Sequence, residues 1–409
     1  MNIPQGYKDS AVGIIPQEWE VKQLALLGKI FSGGTPSTDK EEYWGENIMW
    51  CTPSDITSIS SKYINNTKDR ITAMGLKNSS AILLPINSII VCTRATIGAA
   101  AITQVELSTN QGFKNIKPEK CNTEWLYYSM ILNQPKLQRL GCGSTFLEVS
   151  KRDFERLKLA VPPIGEQRKI AEILGVWDEA IEKQSRLIEK LELRKRALMQ
   201  HLLTGRTRLP GFTSPWQKCL YSDILKEVKR TMTWDDNEEY DLISVKRRSG
   251  GLFHRDRLLG KDIKTKNLRP AKCGDFLISK MQIVHGASGL VTEEFDEMKI
   301  SGSYIALVAR NGDMVDMKFI NWYSKTPYFY HQTYVSSYGV HIEKMTFDLE
   351  SFMSMNIMLP PFPEQKAIAE VLTTADNEIS TQRKKLDALR LQKRGLMQQL
   401  LTGKTRVKI

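Results

Sequence analysis

Basic and short polar side chains are the groups in this sequence with the clearest chemical potential. Between Val245 and Lys272 the chain carries ten basic residues and two acidic ones. Such a density of lysine and arginine is typical of a segment that contacts phosphate groups; the alternative interpretation is a solvated, mobile loop. The net charge of the whole chain is also positive, because 58 lysines and arginines against 46 aspartates and glutamates give +12. A polyanionic partner is therefore expected.

Residues that could perform catalysis are hard to find. The segment Thr402–Thr405 resembles the end of a phosphate-binding loop, but Gln398 stands where its first glycine belongs, and the segment ends a predicted helix. The histidines lack the spacing of a zinc-binding helix, and no CxxC pair occurs, so no metal site is expected. No glycine-rich dinucleotide loop follows a predicted strand. We expect neither a catalytic residue nor a cofactor in this chain.

Targeting signals are equally hard to find. The sequence has no charged-then-apolar leader and no apolar run of about 18 residues, so neither secretion nor a membrane span is indicated. We expect a cytoplasmic protein whose six scattered cysteines are free thiols.

An internal repeat organises the elements that position these side chains. Residues 162–209 align without a gap with residues 360–407, at a constant offset of 198 residues, and about half of the 48 positions are identical. Trp19 and Trp216 lie early in the two halves at nearly the same offset. A repeat of this length predicts one structural plan that is used twice.

Each copy of the repeat predicts one long helix. A Pro-Pro pair precedes each helix, and Gly205 and Gly403 are placed to adopt the left-handed conformation that ends it. From Gly165 to Leu203 the first helix would be roughly 58 Å long. A strict 4,3 spacing indicates a coiled-coil seam rather than a helix that packs only on its own domain. The predicted seam comprises Ile170, Leu174, Trp177, Ile181, Gln184, Ile188, Leu191, Lys195, Leu198 and Leu202, and, in the second copy, Ile368, Leu372, Ala375, Ile379, Gln382, Leu386, Leu389, Lys393, Leu396 and Leu400.

The two regions outside the helices mix short apolar runs with Gly, Asn, Ser and Pro. Ser88–Cys92 in the first region and Asp275–Ser279 in the second are predicted to be buried strands. We expect two α+β domains, each followed by one long helix.

The repeated motif resembles the DNA specificity subunit of type I restriction–modification enzymes. It consists of Pro-Pro-x-x-Glu-Gln, a heptad helix and Leu-Leu-Thr-Gly, and the resemblance covers the whole chain. In the first region, Ser32–Ser37 (SGGTPS), Tyr43-Trp44, Ile48–Trp50 and Pro53–Asp55 are similar to a recurrent target-recognition pattern. The second region lacks Gly-Gly-Thr-Pro-Ser and is expected to belong to a different recognition subtype.

This resemblance implies an α+β fold with two target recognition domains, each followed by a long helix. The helices would form an antiparallel coiled coil with pseudo-two-fold symmetry. The implied parts are recognition domains at residues 1–161 and 210–359 and helical spacers at 162–209 and 360–409.

The function implied by the resemblance is non-catalytic. Each recognition domain would read one half of a bipartite site on double-stranded DNA. The helices would dock two methyltransferase subunits, and motor/nuclease subunits would join the complex. S-adenosylmethionine, ATP and Mg are expected on those partners.

Candidate DNA-binding residues come from the glycine-containing loops and the basic segment. For Thr35, Ser37 and Ser144, turn formation and capping is the alternative role. The first region contributes Thr35, Ser37, Lys40, Arg94, Thr96, Asn110, Gln111, Ser144 and Thr145. The second contributes Lys246, Arg247, Arg248, Arg255, Arg257, Lys280, Gln282, Tyr338 and His341.

The repeat also predicts which residues meet. In antiparallel helices centred between Arg186 and Lys384, the numbers of facing residues sum to about 570. The C-terminus should then lie close to the start of the first domain. The predicted facing pairs are Trp177 with Lys393, Lys195 with Ala375, Gln184 with Leu386, and Gln382 with Ile188.

Two other functions stay open at this point. A coiled-coil adapter for protein partners would bind DNA weakly and without salt dependence. A specificity subunit of a related system, with differently organised methylation and cleavage, would be distinguished by the chains that co-purify with it. A nuclease in its own right is disfavoured, because no carboxylate–lysine metal motif stands out.

Overall fold

The structure is a computed structural model that describes residues 3–141 and 147–408. The chain divides into two compact units. Unit 1 runs to Leu187 and resumes at Gln382, and unit 2 comprises Ile188–Thr381. Each unit therefore combines one globular region with half of each long helix. Within the described ranges, no helix is both long enough and apolar enough to cross a bilayer.

Unit 1 is built on a buried five-stranded sheet. The predicted strand is its centre, because all four residues of Ile89–Cys92 are buried. Its strand order is Gly28–Ser32, Phe113–Pro118, Ile89–Cys92, Ala100–Thr103 and Tyr63–Ile64. A three-stranded sheet has the order Ser108–Thr109, Trp44–Cys51 and Asp69–Ile71, and two-stranded sheets join Tyr7–Lys8 to Ile15–Pro16 and Glu20–Gln23 to Lys158–Val161. The shorter helices are Pro53–Ser58, Ala73–Lys77, Thr123–Leu132, Gln134–Leu140 and Lys151–Glu155.

Unit 2 contains two four-stranded sheets. The predicted second strand is present as Phe276–Ser279 and is fully buried. One sheet has the order Leu225–Glu227, Tyr304–Ala309, Phe276–Ser279 and Ser288–Leu290; the other has Leu252–Leu259, Glu239–Val245, Lys299–Ser301 and Leu268–Pro270. Two-stranded sheets pair Gln217–Leu220 with Asn356–Leu359 and Ser337–Tyr338 with Thr346–Phe347. The shorter helices are Tyr221–Ile224, Met317–Tyr323, Pro327–Val335 and Leu349–Met353.

The long helices have the predicted extent. They span Ile164–Leu202 and Phe362–Leu401. Gly205 and Gly403 follow them with φ angles of 71° and 74°, the left-handed conformation that favours glycine at a helix end. Every predicted seam position is buried or partly buried, whereas most positions between them are exposed.

Both long helices contribute to the core of each unit. In unit 1, Ile170 and Leu174 of the first helix and Leu400 of the second are buried in one hydrophobic cluster. In unit 2, Leu202 and Ile368 share a cluster in the same way. Each helix therefore packs on the globular regions, so the alternative interpretation of its apolar face is present in the structure.

The contacts along the seam differ in detail from the expected facing pairs. In unit 1, Gln184 Nε2 donates to Gln382 Oε1 at 2.8 Å. The hydrogen-bond partner of Gln184 is therefore a glutamine, whereas Leu386 was the expected facing residue. Lys393 pairs with Asp178, the neighbour of Trp177. In unit 2, Lys195 pairs with Asp376, the neighbour of Ala375. The cause of the difference is that amides and ammonium groups need polar partners where they are not fully exposed to water. Each lysine finds its partner one position from the expected residue, and each glutamine finds its partner four positions away.

Candidate nucleic-acid interface

Five predicted residues of the first region lie in loops at one edge of the five-stranded sheet. The register pairs Phe113 with Cys92 and Lys114 with Ser32, so three strand ends lie side by side. The loops that leave this edge carry Thr35, Arg94, Thr96, Asn110 and Gln111, which we call the first patch. Thr35 Oγ1 donates to Gln111 Oε1, and Gln111 is exposed.

The Gly-Gly element is explained by close packing below this patch. A Cβ atom on Gly33 would lie 1.8 Å from the carbonyl oxygen of Asn110. Only glycine allows the two loops to approach so closely. Asn110 Oδ1 in turn accepts from the Gly112 backbone N–H at 2.9 Å, so its side chain also shapes the turn. Thr35 and Asn110 therefore make hydrogen bonds that shape the loops, which is the alternative role to DNA contact.

Arg94 is held by an acidic neighbour. Its Nη2 lies 2.6 Å from Glu148 Oε2, and Lys114 Nζ lies 3.3 Å from the other oxygen of the same carboxylate. Partial burial alone would raise the pKa of Glu148, but hydrogen bonds from Arg94 and Lys114 outweigh it, and the pKa is lowered. The carboxylate therefore stays ionised and keeps Arg94 oriented at the patch.

The other predicted residues of the first region lie further along the chain. Ser37 and Lys40 are exposed on the loop after the patch. Trp44 Nε1 donates to the Ser37 carbonyl at 3.0 Å, and Lys40 Nζ lies 3.1 Å from the Tyr43 hydroxyl, so the loop is anchored by aromatic rings. Ser144 and Thr145 fall outside the described residues.

Part of the basic segment of the second region, residues 245–259, belongs to a structured hairpin and not to a mobile loop. Its strand Leu252–Leu259 pairs antiparallel with Glu239–Val245. Arg257 Nη2 lies 3.0 Å from Asp241 Oδ2, and Arg255 Nε lies 3.2 Å from Asp256. Both arginines are exposed, and exposed ion pairs are weak, so this pairing leaves them as candidates for phosphate contact.

The turn of this hairpin gathers a second group of predicted residues. Lys246, Arg247 and Arg248 are all exposed there. Arg248 has a φ of 57°, and its backbone N–H donates to the His285 carbonyl at 2.6 Å. Arg247 contacts Gln282 and lies 2.8 Å from Glu343 Oε2.

Lys280 and Tyr338 line a cleft of about 610 Å³. Sequence reasoning missed two further cations of the lining: Lys229 belongs to no motif, and Arg269 lies in the basic segment but was not singled out there. Arg269 Nε is buried without a hydrogen-bond partner. Tyr338 is 66% exposed, and His341 is exposed on the loop that follows it. The lining also contains the carboxylates of Glu227 and Asp348, and Lys229 pairs with Glu227 at 3.2 Å. Lys280, Arg269 and Tyr338 are therefore the groups of the cleft that suit nucleic acid, as donors of positive charge and an aromatic face.

A buried carboxylate fixes the start of each long helix. Glu166 is fully buried, accepts from Trp19 Nε1 at 2.9 Å and pairs with Arg406 at 2.8 Å. In unit 2, Glu364 is fully buried and bonds to Trp216 and Arg208 in the same way. These groups were not among the predicted site residues. Their identity in the two repeat copies is the signal that could have found them.

The glutamine after each of these glutamates connects the helix to its globular region. Gln167 Oε1 accepts from the backbone N–H of Asn122, which caps the helix Thr123–Leu132. Gln365 Oε1 accepts from the backbone N–H of Asp316, which caps Met317–Tyr323. The Glu-Gln motif therefore sets the position of a helix at the base of each globular region.

Groups suited to metal or thiol chemistry do not converge. Among the described residues, no cluster of three or more His, Cys, Asp or Glu side chains could hold a metal ion. The described cysteines are unpaired, and burial raises the pKa of Cys92 to about 11 and of Cys121 to about 12. Such thiols stay protonated and are poor nucleophiles at neutral pH.

Comparison with curated proteins identifies relatives over one half or over nearly the whole chain. The type I restriction enzyme MjaIX specificity subunit of Methanocaldococcus jannaschii is 36% identical over 193 residues, which is 46% of this chain and 45% of that protein. This match thus spans less than half of that relative. The MjaVIII specificity subunit of the same organism is 23% identical over 96% of this chain and 94% of its own length. The Escherichia coli EcoR124I/EcoR124II specificity subunit is 29% identical over 42% of this chain and 44% of its own length.

Two solved structures share the fold. The S subunit of a type I restriction–modification system from M. genitalium gives a TM-score of 0.58 at 14% identity and covers 98% of both chains. A chain from a study of complex assembly and conformational transition of the type I R-M system gives 0.59 at 16% identity, over 96% of this chain and 99% of that one. The model of the type I restriction modification DNA specificity domain matches residues 16–193 and again residues 216–390. The chain therefore belongs to the family of type I restriction–modification specificity subunits and carries the family's domain twice.

Proposed function

We propose that this chain is the DNA-reading, non-catalytic subunit of a type I restriction–modification complex. Residues 1–161 and 210–359 act as target recognition domains, and each reads one half of a bipartite site. The observation that carries this proposal is the double occurrence of the specificity domain, each copy with its own globular region and long helix.

The long helices serve as the spacer, as an antiparallel coiled coil with pseudo-two-fold symmetry. Contacts within each unit support this arrangement. Asp178 pairs with Lys393 in unit 1, and Asp376 pairs with Lys195 in unit 2. Asp178 and Asp376 are equivalent in the repeat, as are Lys195 and Lys393, so each pair joins an aspartate of one copy to a lysine of the other. Glu166 with Arg406 and Glu364 with Arg208 repeat the exchange. Residues later in one helix meet residues earlier in the other, as antiparallel packing requires.

DNA is contacted by the first patch, by the hairpin turn at Lys246–Arg248 and by the cleft beside Lys280. Short polar side chains at loop tips suit base edges in the major groove, and cations suit phosphates. The candidates Ser37, Lys40 and His341 extend these surfaces, while Arg255 and Arg257 act at their margin.

The chemistry belongs to partner chains. Two methyltransferase subunits dock on the helices and bring S-adenosylmethionine, and motor/nuclease subunits bring ATP and Mg. The target adenine must leave the base stack for methylation, so the DNA is held by several subunits at once.

Reconstitution of this chain with its methyltransferase subunits tests the proposal. Sequencing of N6-methyladenine should find one bipartite motif that disappears when the chain is omitted. Exchange of residues 210–359 for the recognition region of another family member should change one half of the motif and leave the other half unchanged. Methylation without a motif, or DNA binding that does not weaken with salt, would favour a protein adapter instead.

The isolated chain provides the matched control. Calorimetry with S-adenosylmethionine should detect no stoichiometric micromolar site on this chain alone, and neither methylation nor cleavage should occur until the partners are added. A tight site on the isolated chain would contradict the proposed division of labour.

A further inference from the structure

Two lysines of the helix seam also contact the globular regions. Lys393 and Lys195 occupy the same position in the two repeat copies. In unit 1, Lys393 pairs with Asp178 of the first long helix, and its Nζ lies 5.0 Å from the ring centroid of Tyr128. Tyr128 is fully buried and belongs to the helix Thr123–Leu132 of the first region. Lys393 therefore touches both another helix and the recognition domain.

The polar contacts continue into the recognition domain. The Tyr128 hydroxyl donates to Asp178 Oδ2 at 2.5 Å and accepts from Lys62 Nζ at 3.0 Å. Lys62 in turn lies 3.2 Å from Glu124 Oε1, and the Tyr63 hydroxyl donates to the same carboxylate. Tyr63 begins the edge strand Tyr63–Ile64, so one network links the sheet, a helix of the domain and both long helices.

Unit 2 has the same arrangement with different side chains on the domain side. Lys195 pairs with Asp376, and its Nζ lies 5.1 Å from the ring centroid of Trp322. Trp322 Nε1 donates to Thr373 Oγ1 of the second long helix at 3.0 Å. Lys325 Nζ lies 4.0 Å from the same ring, where Lys62 stands beside Tyr128 in unit 1.

We propose that these two clusters are positioning joints that fix the tilt of each recognition domain on the helices and thereby the spacing of the two half-sites. Joint 1 is Asp178, Lys393 and Tyr128; joint 2 is Asp376, Lys195 and Trp322. This inference rests on the proposed function. Stability alone gives a weak account of the clusters, because both ion pairs are partly exposed and such pairs contribute little to stability. Each lysine has one partner on a long helix and one on the recognition domain. Such a charge restricts the angle between the helix and the domain, and it does so more specifically than apolar packing.

Spacer selection by the reconstituted methyltransferase complex tests the joints. The substrates are duplexes whose two half-sites are separated by the natural spacer or by one base pair more or fewer. The variants are Lys393→Met with Asp178→Leu, which removes joint 1 without leaving a buried charge, and Lys195→Met with Asp376→Leu for joint 2. The matched controls, Lys183→Met and Lys385→Met, remove exposed lysines from the same helices.

We expect the ratio of methylation rates on the natural spacer and on the altered spacers to fall about tenfold in the joint variants, which is the size of a typical coupling between sites. Both controls should keep that preference. A variant that melts at a lower temperature but still selects one spacer length would overturn the proposal, since the cluster would then only stabilise the fold.

A distance measurement on the isolated chain separates failure of the joints from failure of the proposed function. Nitroxide-bearing residues at the exposed positions Lys77 and Val176 report the distance between the first region and the first long helix, both within unit 1. Removal of joint 1 should broaden the distance distribution measured by electron paramagnetic resonance, whereas Lys183→Met should not. An equally narrow distribution in the joint variant would refute the positioning role, whatever DNA the complex reads.

Discussion

Arg406 lies 240 residues from Glu166 in the chain, yet its Nε donates to Glu166 Oε1 at 2.8 Å. Its Nη2 also bonds the second oxygen of Glu166 and the carboxylate of Glu18. The hydrogen bonds that Arg406 donates to Glu166 and then to Glu18 raise the pKa of its guanidinium. The Tyr7 hydroxyl donates to the carbonyl of Gly403 at 3.0 Å. The last described residues thus lie against the start of the first globular region, as the repeat predicts.

The first prediction concerns the loss of this contact. Arg406→Met should lower the free energy of unfolding of unit 1 by about 1–3 kcal/mol, because Glu166 keeps only the Trp19 indole as a partner. Glu166, the charge left behind, is fully buried, but water can replace part of the guanidinium because the Arg406 side chain is 37% exposed, so the cost stays below that of an unsolvated charge. Urea denaturation of the full chain measures the change. Lys404→Met, two residues away and exposed, is the control and should have no effect.

The second prediction concerns the two glutamines of the seam. Gln184→Leu alone leaves Gln382 without its 2.8 Å partner and should destabilise the protein by about 1–2 kcal/mol. Gln184→Leu with Gln382→Leu removes both amides and should restore or exceed the original melting temperature. The double variant should also align less strictly, because a polar pair in a seam favours one register. Scanning calorimetry measures the first effect, and crosslinking between the helices measures the second. A double variant less stable than the single one would contradict the argument.

The sequence predicts the long helices well, because a period of 3.5 residues and strong end signals leave few alternatives. It also predicts which segments meet, because facing numbers sum to about 570 once the antiparallel orientation implied by the resemblance is combined with the repeat. The pairing of Gln184 with Gln382 was not predicted, since the choice between an apolar and a polar neighbour depends on side-chain geometry. Lys229 was missed because it reaches the cleft beside Lys280 from a segment that is distant in sequence. Arg269 was missed because charge density alone does not single out one residue of the basic segment. Which of the candidate residues read bases stays a prediction.

The third prediction tests the cleft of the second region. Lys280→Gln should weaken DNA binding by the complex and reduce the slope of log affinity against log salt concentration by about 1. Because the change lies in one recognition domain, the motif at the other half-site should keep its sequence. Tyr338→Leu removes the exposed ring without changing charge, so it should weaken binding and leave the salt slope unchanged. Lys318→Gln, on an exposed position of a helix in the same region, is the matched control. Equal slopes for Lys280→Gln and the parent would place this lysine away from the phosphates.

The last prediction uses the exchange of partners between the repeat copies. A fragment of residues 1–209 contains Asp178, Glu166 and Gln184 but lacks the residues that pair with them. A second copy supplies equivalents, because Lys195 replaces Lys393 and Arg208 replaces Arg406 at the repeat offset. The fragment should therefore dimerise at roughly 10 µM, as sedimentation would measure. Two identical recognition domains related by a two-fold axis must read an inverted repeat. With the methyltransferase partner, the dimer should modify a palindrome built from the first half-site.

Asp178→Lys should weaken the dimer, and Asp178→Lys with Lys195→Asp should restore it, because the reversed charges pair again. A fragment that stays monomeric, or one whose complex still prefers the asymmetric full site, would refute the pseudo-symmetric arrangement.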